Sequence, residues 1–338
     1  MASESKGSSD YPGKVAGLTQ GKATRDAFGR TLESLGESMT GVCTVDADVG
    51  NSTRTEWFAK KYPDRAFNVG IAESNLVSVA GGLASCGKTP VIASFACFLL
   101  NNAFDQIRMS VAYPGTNVKM VGTHSGISIG EDGASQMGIE DIGLACSLPG
   151  VTVMVASDAV QTAALTKAML EHDGPVYLRV GRGKVADIYE GDGSEGKHPA
   201  NFEVGKACQL RDGSDATIIG TGLMVGAALD AAKLLEDEGI NVRVLDLHTI
   251  KPIDRDAIEK AAKETGCIVT TEEHLHHGGL GSAVAQVVTE THPVPMASVD
   301  VGDTYAESGD PMGLLNKYGL TPENIVAAVK SAHAKKTN

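Results

Sequence analysis

The 338 residues carry 42% hydrophobic and 21% charged side chains, a composition that supplies packed cores, favours two domains of ordinary size and excludes a disordered chain. Lys and Arg number 29 against 42 Asp and Glu, and the resulting net charge of −13 repels phosphate backbones and argues against nucleic acid as a partner. No apolar run reaches the ~20 residues of a membrane span, and the first twenty residues lack a secretory signal's apolar stretch, so a cytoplasmic protein is expected.

In chain order, residues 1–20 read as a loose polar arm. From there continuous apolar runs alternate with helical stretches, with strands expected at 41–49, 66–70, 90–95, 118–124, 151–157 and 176–181. Runs of this kind suit a parallel sheet covered by helices on both faces. Helices are expected over 73–85 and 158–171, the latter opened by Ser157 or Asp158 as a cap. A polar, Gly-rich stretch follows and reads as a linker over 189–204, separating a first domain (21–188) from a second (205–335). The alternation then restarts, with strands at 216–222, 242–247, 267–273 and 296–302. Helices lie between them at 225–237, 254–265 and 280–290, and a last one starts at Pro322. The expected fold class is α/β, two consecutive parallel-sheet domains. Six cysteines form no CxxC pair and read as small buried hydrophobes in a reducing compartment.

Ligands of an open parallel sheet sit outside the carboxyl ends of its strands. Asp46, Asp48, Glu73, Phe95, Phe98, His124 and Arg182 fall on that rim of the first domain, spread over five strands. On the second domain's rim, Glu272, Glu273, His274, His276 and His277 are read as an exposed polar loop in preference to a metal site, because no companion ligand run is visible. GTGLMVG (220–226) follows a strand and opens a helix, but Val225 stands where a dinucleotide fingerprint needs its third glycine, so NAD is not expected.

Four motifs, NVGIAESN (68–75), SFACF (94–98), FDQIRMSVAY (104–113) and HSGISIGEDGASQMGIEDI (124–142), together resemble transketolase. The chain looks like that enzyme's pyrimidine-binding domain followed by its third, C-terminal domain. The resemblance implies that Glu73 hydrogen-bonds a pyrimidine ring nitrogen of thiamine diphosphate. That bond favours the imino form, whose nitrogen can take the thiazolium proton. Ile71, Phe95 and Phe98 are expected to enclose this carboxyl and the aminopyrimidine, with Gln136 near the cofactor's amino group and Asp48 near the thiazolium. Arg25, Ser52, His124 and Arg182 match residues that hold a sugar phosphate, with His124 also counted as catalytic. Asp132 matches an aspartate that reads a substrate hydroxyl, while Glu131 beside it is taken as structural. Asn101 and Asn102 depart from the family pattern, standing where relatives often have an arginine.

Family members bind the diphosphate and its metal through an amino-terminal domain with Gly-Asp-Gly and, about thirty residues on, an asparagine. Here Gly191-Asp192-Gly193 lies in the linker after Tyr189-Glu190, and no Asn occurs between Asn201 and Asn241, so that match is accidental. The chain is therefore expected to carry half of each active site, in an α2β2 assembly whose N-terminal-type partner subunit holds the Mg2+ or Ca2+. The competing readings are the β subunit of a 2-oxoacid dehydrogenase E1, deoxyxylulose-phosphate synthase, a transketolase for apulose 4-phosphate, and a non-catalytic transketolase-like module. The combination of HSGISIGEDG with Arg25, Ser52 and Arg182 favours sugar phosphates over 2-oxoacids.

Overall fold

The computed structural model describes residues 11–190, 198–199 and 202–336. Residues 1–10 of the expected arm and Gly191-Asp192-Gly193 lie outside them. The first sheet has seven strands. From one edge they run Thr249–Lys251, Thr152–Val155, Val176–Arg179, Lys119–Thr123, Thr89–Phe95, Val42–Asp46 and Ala66–Asn68. Six are mutually parallel and nearly continuous in apolar residues, as expected for strands covered on both faces.

The seventh strand was not legible in the sequence. Thr249–Lys251 leaves the second domain and pairs antiparallel with Thr152–Val155, placing Thr249 opposite Met154. The second sheet has the order Cys208–Arg211, Val242–Asp246, Ala216–Gly220, Ile268–Thr271, Met296–Val299, with only the first strand antiparallel. Both domains are thus α/β, joined through a shared sheet edge.

Local chemistry fixes the helix ends. Asp158 caps Ala159–Glu171 by accepting from the Gln161 N–H at 2.8 Å. Asp254 does the same for Arg255–Thr265, which stops at Gly266 in the left-handed region. Thr321 and Pro322 open the last helix, Pro322–His333. Glu73 sits in the first turn of Glu73–Ser85, where its charge suits the helix N-terminus.

Two expectations are corrected. Residues 11–20 are not loose: the Asp230 carboxylate accepts from the Gly13 and Ala16 N–H groups at 2.7 Å, and Leu18 is buried. The expected linker begins inside the structure, because Tyr189 is buried and donates to Asp246 at 2.7 Å. In both places a few buried anchors outweigh a polar composition.

Candidate active site

The strands of the first sheet end together, and the turns after them carry the rim residues. Three non-glycine residues have positive φ among the described residues: Asp48 (66°), Arg54 (74°) and His124 (54°), all on this rim. Such conformations are uncommon for side-chain-bearing residues and cluster at functional sites.

His124 follows the strand Lys119–Thr123 and is buried. Its ring stacks on Phe95 with centroids 3.8 Å apart, and Phe95 stacks on Phe98 at 5.4 Å, giving three near-parallel rings. Arg25 Nη1 lies 2.8 Å from His124 Nε2. A guanidinium only donates, so Nε2 accepts, and the neutral ring carries its proton on Nδ1. That N–H donates to Thr123 Oγ1 at 2.8 Å, whose hydroxyl donates to the Ser94 carbonyl at 3.3 Å. Burial first, then Arg25, Arg182 and Arg54, pushes the imidazole down to about 3, so it is neutral at physiological pH.

Arg25 Nη1 also donates to the Ser52 carbonyl at 3.0 Å, so Ser52 contributes its backbone here. Burial and the charges of Arg54 and Arg182 lower the pKa of Arg25, while Asp26 and Asp132 oppose them. Its Nε is buried without a partner, a donor left for a ligand. Arg182 Nη1 donates to the Ile129 carbonyl at 2.6 Å and to the exposed Glu131 at 3.2 Å. Asp132 is exposed beside this pair.

Glu73 is buried at the other end of the ring stack's support. Ser94 Oγ donates to its Oε1 at 3.4 Å and Asn102 Nδ2 to its Oε2 at 3.3 Å. Asn102 belongs to a π-helical turn, Phe98–Asn102, that also carries Phe98. The residue noted as a departure from the family pattern therefore contacts the central carboxylate. A buried carboxyl beside two stacked rings fits an aminopyrimidine: the rings supply a flat apolar face and the carboxyl a partner for a ring nitrogen.

Several expected residues stand elsewhere. Ile71 is 82% exposed and does not enclose Glu73, because the loop carrying it follows the edge strand Ala66–Asn68 and projects from the sheet. Asp48 is exposed and accepts from Asn68 Nδ2 at 3.2 Å. It lines a cleft of about 460 Å³ with Asp46, Asn51 and Thr55, and none of the stacked rings borders that cleft. Gln136 accepts from Ser135 Oγ at 2.7 Å.

Sequence reasoning missed Arg54, which donates to Asp26 at 2.6 Å and whose charge reaches His124. It also missed the buried pair of Arg179 and Asp141 at 2.8 Å, to which Tyr177 adds a hydroxyl donor at 2.6 Å. Nothing in the sequence marks Arg54. Arg179 ends a strand, and an arginine inside an apolar run was a usable signal.

The 272–277 stretch is the expected exposed loop only at His276 and His277. Glu272, Glu273 and His274 are buried. Glu272 caps the helix Leu280–Glu290, accepting from the Leu280 and Gly281 N–H groups at 2.7 and 2.8 Å. Among the described residues no group of three or more His, Cys, Asp or Glu is placed to hold a metal ion, and no helix is long and apolar enough to cross a membrane.

Comparison with known proteins identifies both domains. Residues 20–187 match the transketolase pyrimidine-binding domain and residues 205–325 the transketolase C-terminal domain. The 6-deoxy-6-sulfo-D-fructose transketolase subunit SqwH of Clostridium sp. (strain MSTE9) is 39% identical over 92% of this chain and 95% of its own length. Human transketolase is 39% identical over 93% of this chain, which spans 49% of the human protein. A solved split-gene transketolase, described as an inactive β4 tetramer, superposes with a TM-score of 0.84 at 44% identity, covering 94% of this chain and all of its own.

Proposed function

Since this chain belongs to the transketolase family as a subunit built of its pyrimidine-binding and C-terminal domains, we propose that it is the C-terminal-type half of a split, thiamine-diphosphate-dependent transketolase. The reaction is transfer of a two-carbon ketol unit from a ketose phosphate to an aldose phosphate. An N-terminal-type partner supplies the diphosphate and metal site, in an α2β2 assembly.

Bound thiamine diphosphate supplies the carbon nucleophile that accepts and hands on the ketol unit. Glu73 bonds the pyrimidine ring nitrogen and holds or releases the proton there. Phe95 and Phe98 would pack against the ring, whereas Asp48 and Gln136, which stand apart from the stacked rings in this chain, are given no contact with it. Arg25 and Arg182 bind the sugar's phosphate, with Arg25 aimed by His124 and the Ser52 carbonyl. Asp132 reads a substrate hydroxyl.

One observation carries this reading. The stack Phe98–Phe95–His124 leads from the strand end and π-helical turn whose Ser94 and Asn102 bond Glu73 to the Arg25 donor, joining a cofactor end to an anion end. The positive charges of Arg25, Arg182 and Arg54 near His124 favour a phosphate-bearing substrate over a 2-oxoacid.

The test is reconstitution. The chain alone should bind thiamine diphosphate weakly and show no transketolase activity. Mixed with its N-terminal-type partner, the cofactor and Mg2+ or Ca2+, it should become active as a heteromer. Tight metal-dependent cofactor binding to the chain alone, seen by calorimetry, would overturn the split-site reading.

A further inference from the structure

The loop 124–133 bears His124 and Asp132 but does little to hold itself in place. Within it Gly130 donates to Ile127 and Gly133 to Gly130, both at 3.1 Å, and one short helical turn covers Ile127–Ile129. The first domain holds its start, where the Gly126 N–H donates to the Gly138 carbonyl at 2.7 Å and Ser125 Oγ to the Val180 carbonyl at 3.0 Å. Its direction has to be set from outside. The second domain supplies that constraint at several points. Glu273 Oε1 accepts from the Ser128 N–H at 2.5 Å. Gly126, at φ +80°, lies flat against the same carboxylate, where a Cβ would come within 2.1 Å of the carboxyl carbon. Further along, Ser308 Oγ donates to the Glu131 carbonyl. Gly130 packs on the Pro311 ring, so that a Cβ there would sit 2.7 Å from it.

Glu273 is itself fixed to the first domain. Arg179 Nη2 donates to the Glu273 carbonyl at 2.9 Å and to the Gly138 carbonyl at 3.0 Å, at the base of the same loop. Beside it the Leu275 N–H donates to the Ile139 carbonyl at 2.9 Å. The buried carboxylate is thus rigidly placed and faces a backbone donor of the loop.

We propose that Glu273 is a positioning residue for the loop 124–133, and that holding this loop in register with Arg25 and Arg182 is the second domain's contribution to the reaction. The inference rests on the transketolase reading for its chemistry, but the grip on the loop is a property of this chain alone. Arg182 bonds the Ile129 carbonyl, one residue past the Glu273 contact, so a shift of the loop moves the anion ligands directly. The effect of Glu273 passes through Ser128 and Gly126.

Three variants test this. Glu273→Ala removes the acceptor, Glu273→Met removes it while keeping side-chain volume, and Glu273→Gln keeps an acceptor oxygen. Amide hydrogen exchange is measured first on the isolated chain. In the Ala and Met variants, amides of 126–133 should exchange roughly threefold to tenfold faster, as expected for loss of one hydrogen bond to a carboxyl that burial pushes up to about 7. The Gln variant should stay near wild type, and the helix Glu73–Ser85 should be unchanged in all three. In the enzyme reconstituted with its partner, the Ala and Met variants should raise KM for the phosphorylated sugar by about tenfold while kcat changes little.

Wild-type exchange in both the Ala and Met variants, or a Gln variant as loose as Ala, would overturn the proposal. So would a collapse of kcat at unchanged KM. If the wild-type mixture itself is inactive, the transketolase reading fails, while the exchange measurement still decides whether Glu273 holds the loop.

Discussion

Replacing Arg25 with Ala separates anion recognition from the rest of the site. In the free chain Arg25 spends Nη1 on the Ser52 carbonyl and His124, and keeps a buried Nε without a partner. Its guanidinium stays charged at neutral pH although burial and two neighbouring arginines oppose it. A charge-assisted contact of this kind to a dianion is worth about 1.5–3 kcal/mol, or roughly tenfold to a hundredfold in affinity. A remote phosphate contact binds substrate and transition state alike, so the loss should appear in KM rather than kcat. Arg25→Ala also leaves His124 Nε2 buried and unpaired, at a cost of about 1–3 kcal/mol in stability. The assay compares sugar phosphates with hydroxypyruvate, a donor lacking phosphate, at saturating acceptor in the reconstituted enzyme. The defect should largely vanish with hydroxypyruvate. Equal impairment on every donor, or none on any, would refute the phosphate assignment and return weight to the dehydrogenase reading.

Glu73→Gln keeps shape but cannot hold and release a proton; acid–base assistance contributes ~10²–10⁴-fold, and thiazolium proton exchange followed by NMR in the reconstituted enzyme should slow by that range. Asp141→Ala strands the Arg179 guanidinium in a buried site, and removing one partner of such a pair costs about 3–5 kcal/mol, readable as a lowered denaturant midpoint. His124, held at about 3 against an ordinary 6.5, gives a signed pH test. Below pH 6.5 the unfolded chain takes up a proton that the folded chain refuses, so stability from this group is present above 6.5 and is lost as pH falls toward 3. The slope is at most about 1.4 kcal/mol per pH unit. Since His124→Gln removes that dependence, the stability difference between wild type and variant should shift between pH 7 and pH 5, and a constant difference would rule the assignment out.

The parts of the fold that one segment specifies were legible in the sequence. The helix Glu73–Ser85 falls where it was expected, and Ala159–Glu171 begins after the Asp158 cap. The edge strand Thr249–Lys251 was not, because only a partner strand in the other domain makes three residues a strand. The same division runs through the site. The rim position of His124, Phe95 and Arg182 follows from strand ends, which a sequence shows. That His124 is neutral, that Ser52 acts through its backbone, and that Ile71 points into solvent depend on which neighbours arrive in three dimensions. Glu272 and Glu273 were misread for a related reason. A charged run is usually solvated, and these two are buried because each carboxylate finds backbone N–H donors from another segment.

A neutral His124 also spares three neighbouring arginines a further like charge. An imidazolium there would add a fourth cation to a partly buried site. The neutral ring instead offers Arg25 a lone pair and stacks on Phe95, so one side chain holds a guanidinium and a ring at once. The surplus positive charge is left to be neutralised by whatever enters. Asp26 takes up Arg54, and Glu131 takes part of Arg182, each through a single contact. Arg25 alone has no carboxylate bonded to it, only two uncharged acceptors. On an otherwise acidic chain of net charge −13, that leaves Arg25 the least neutralised of the three guanidiniums.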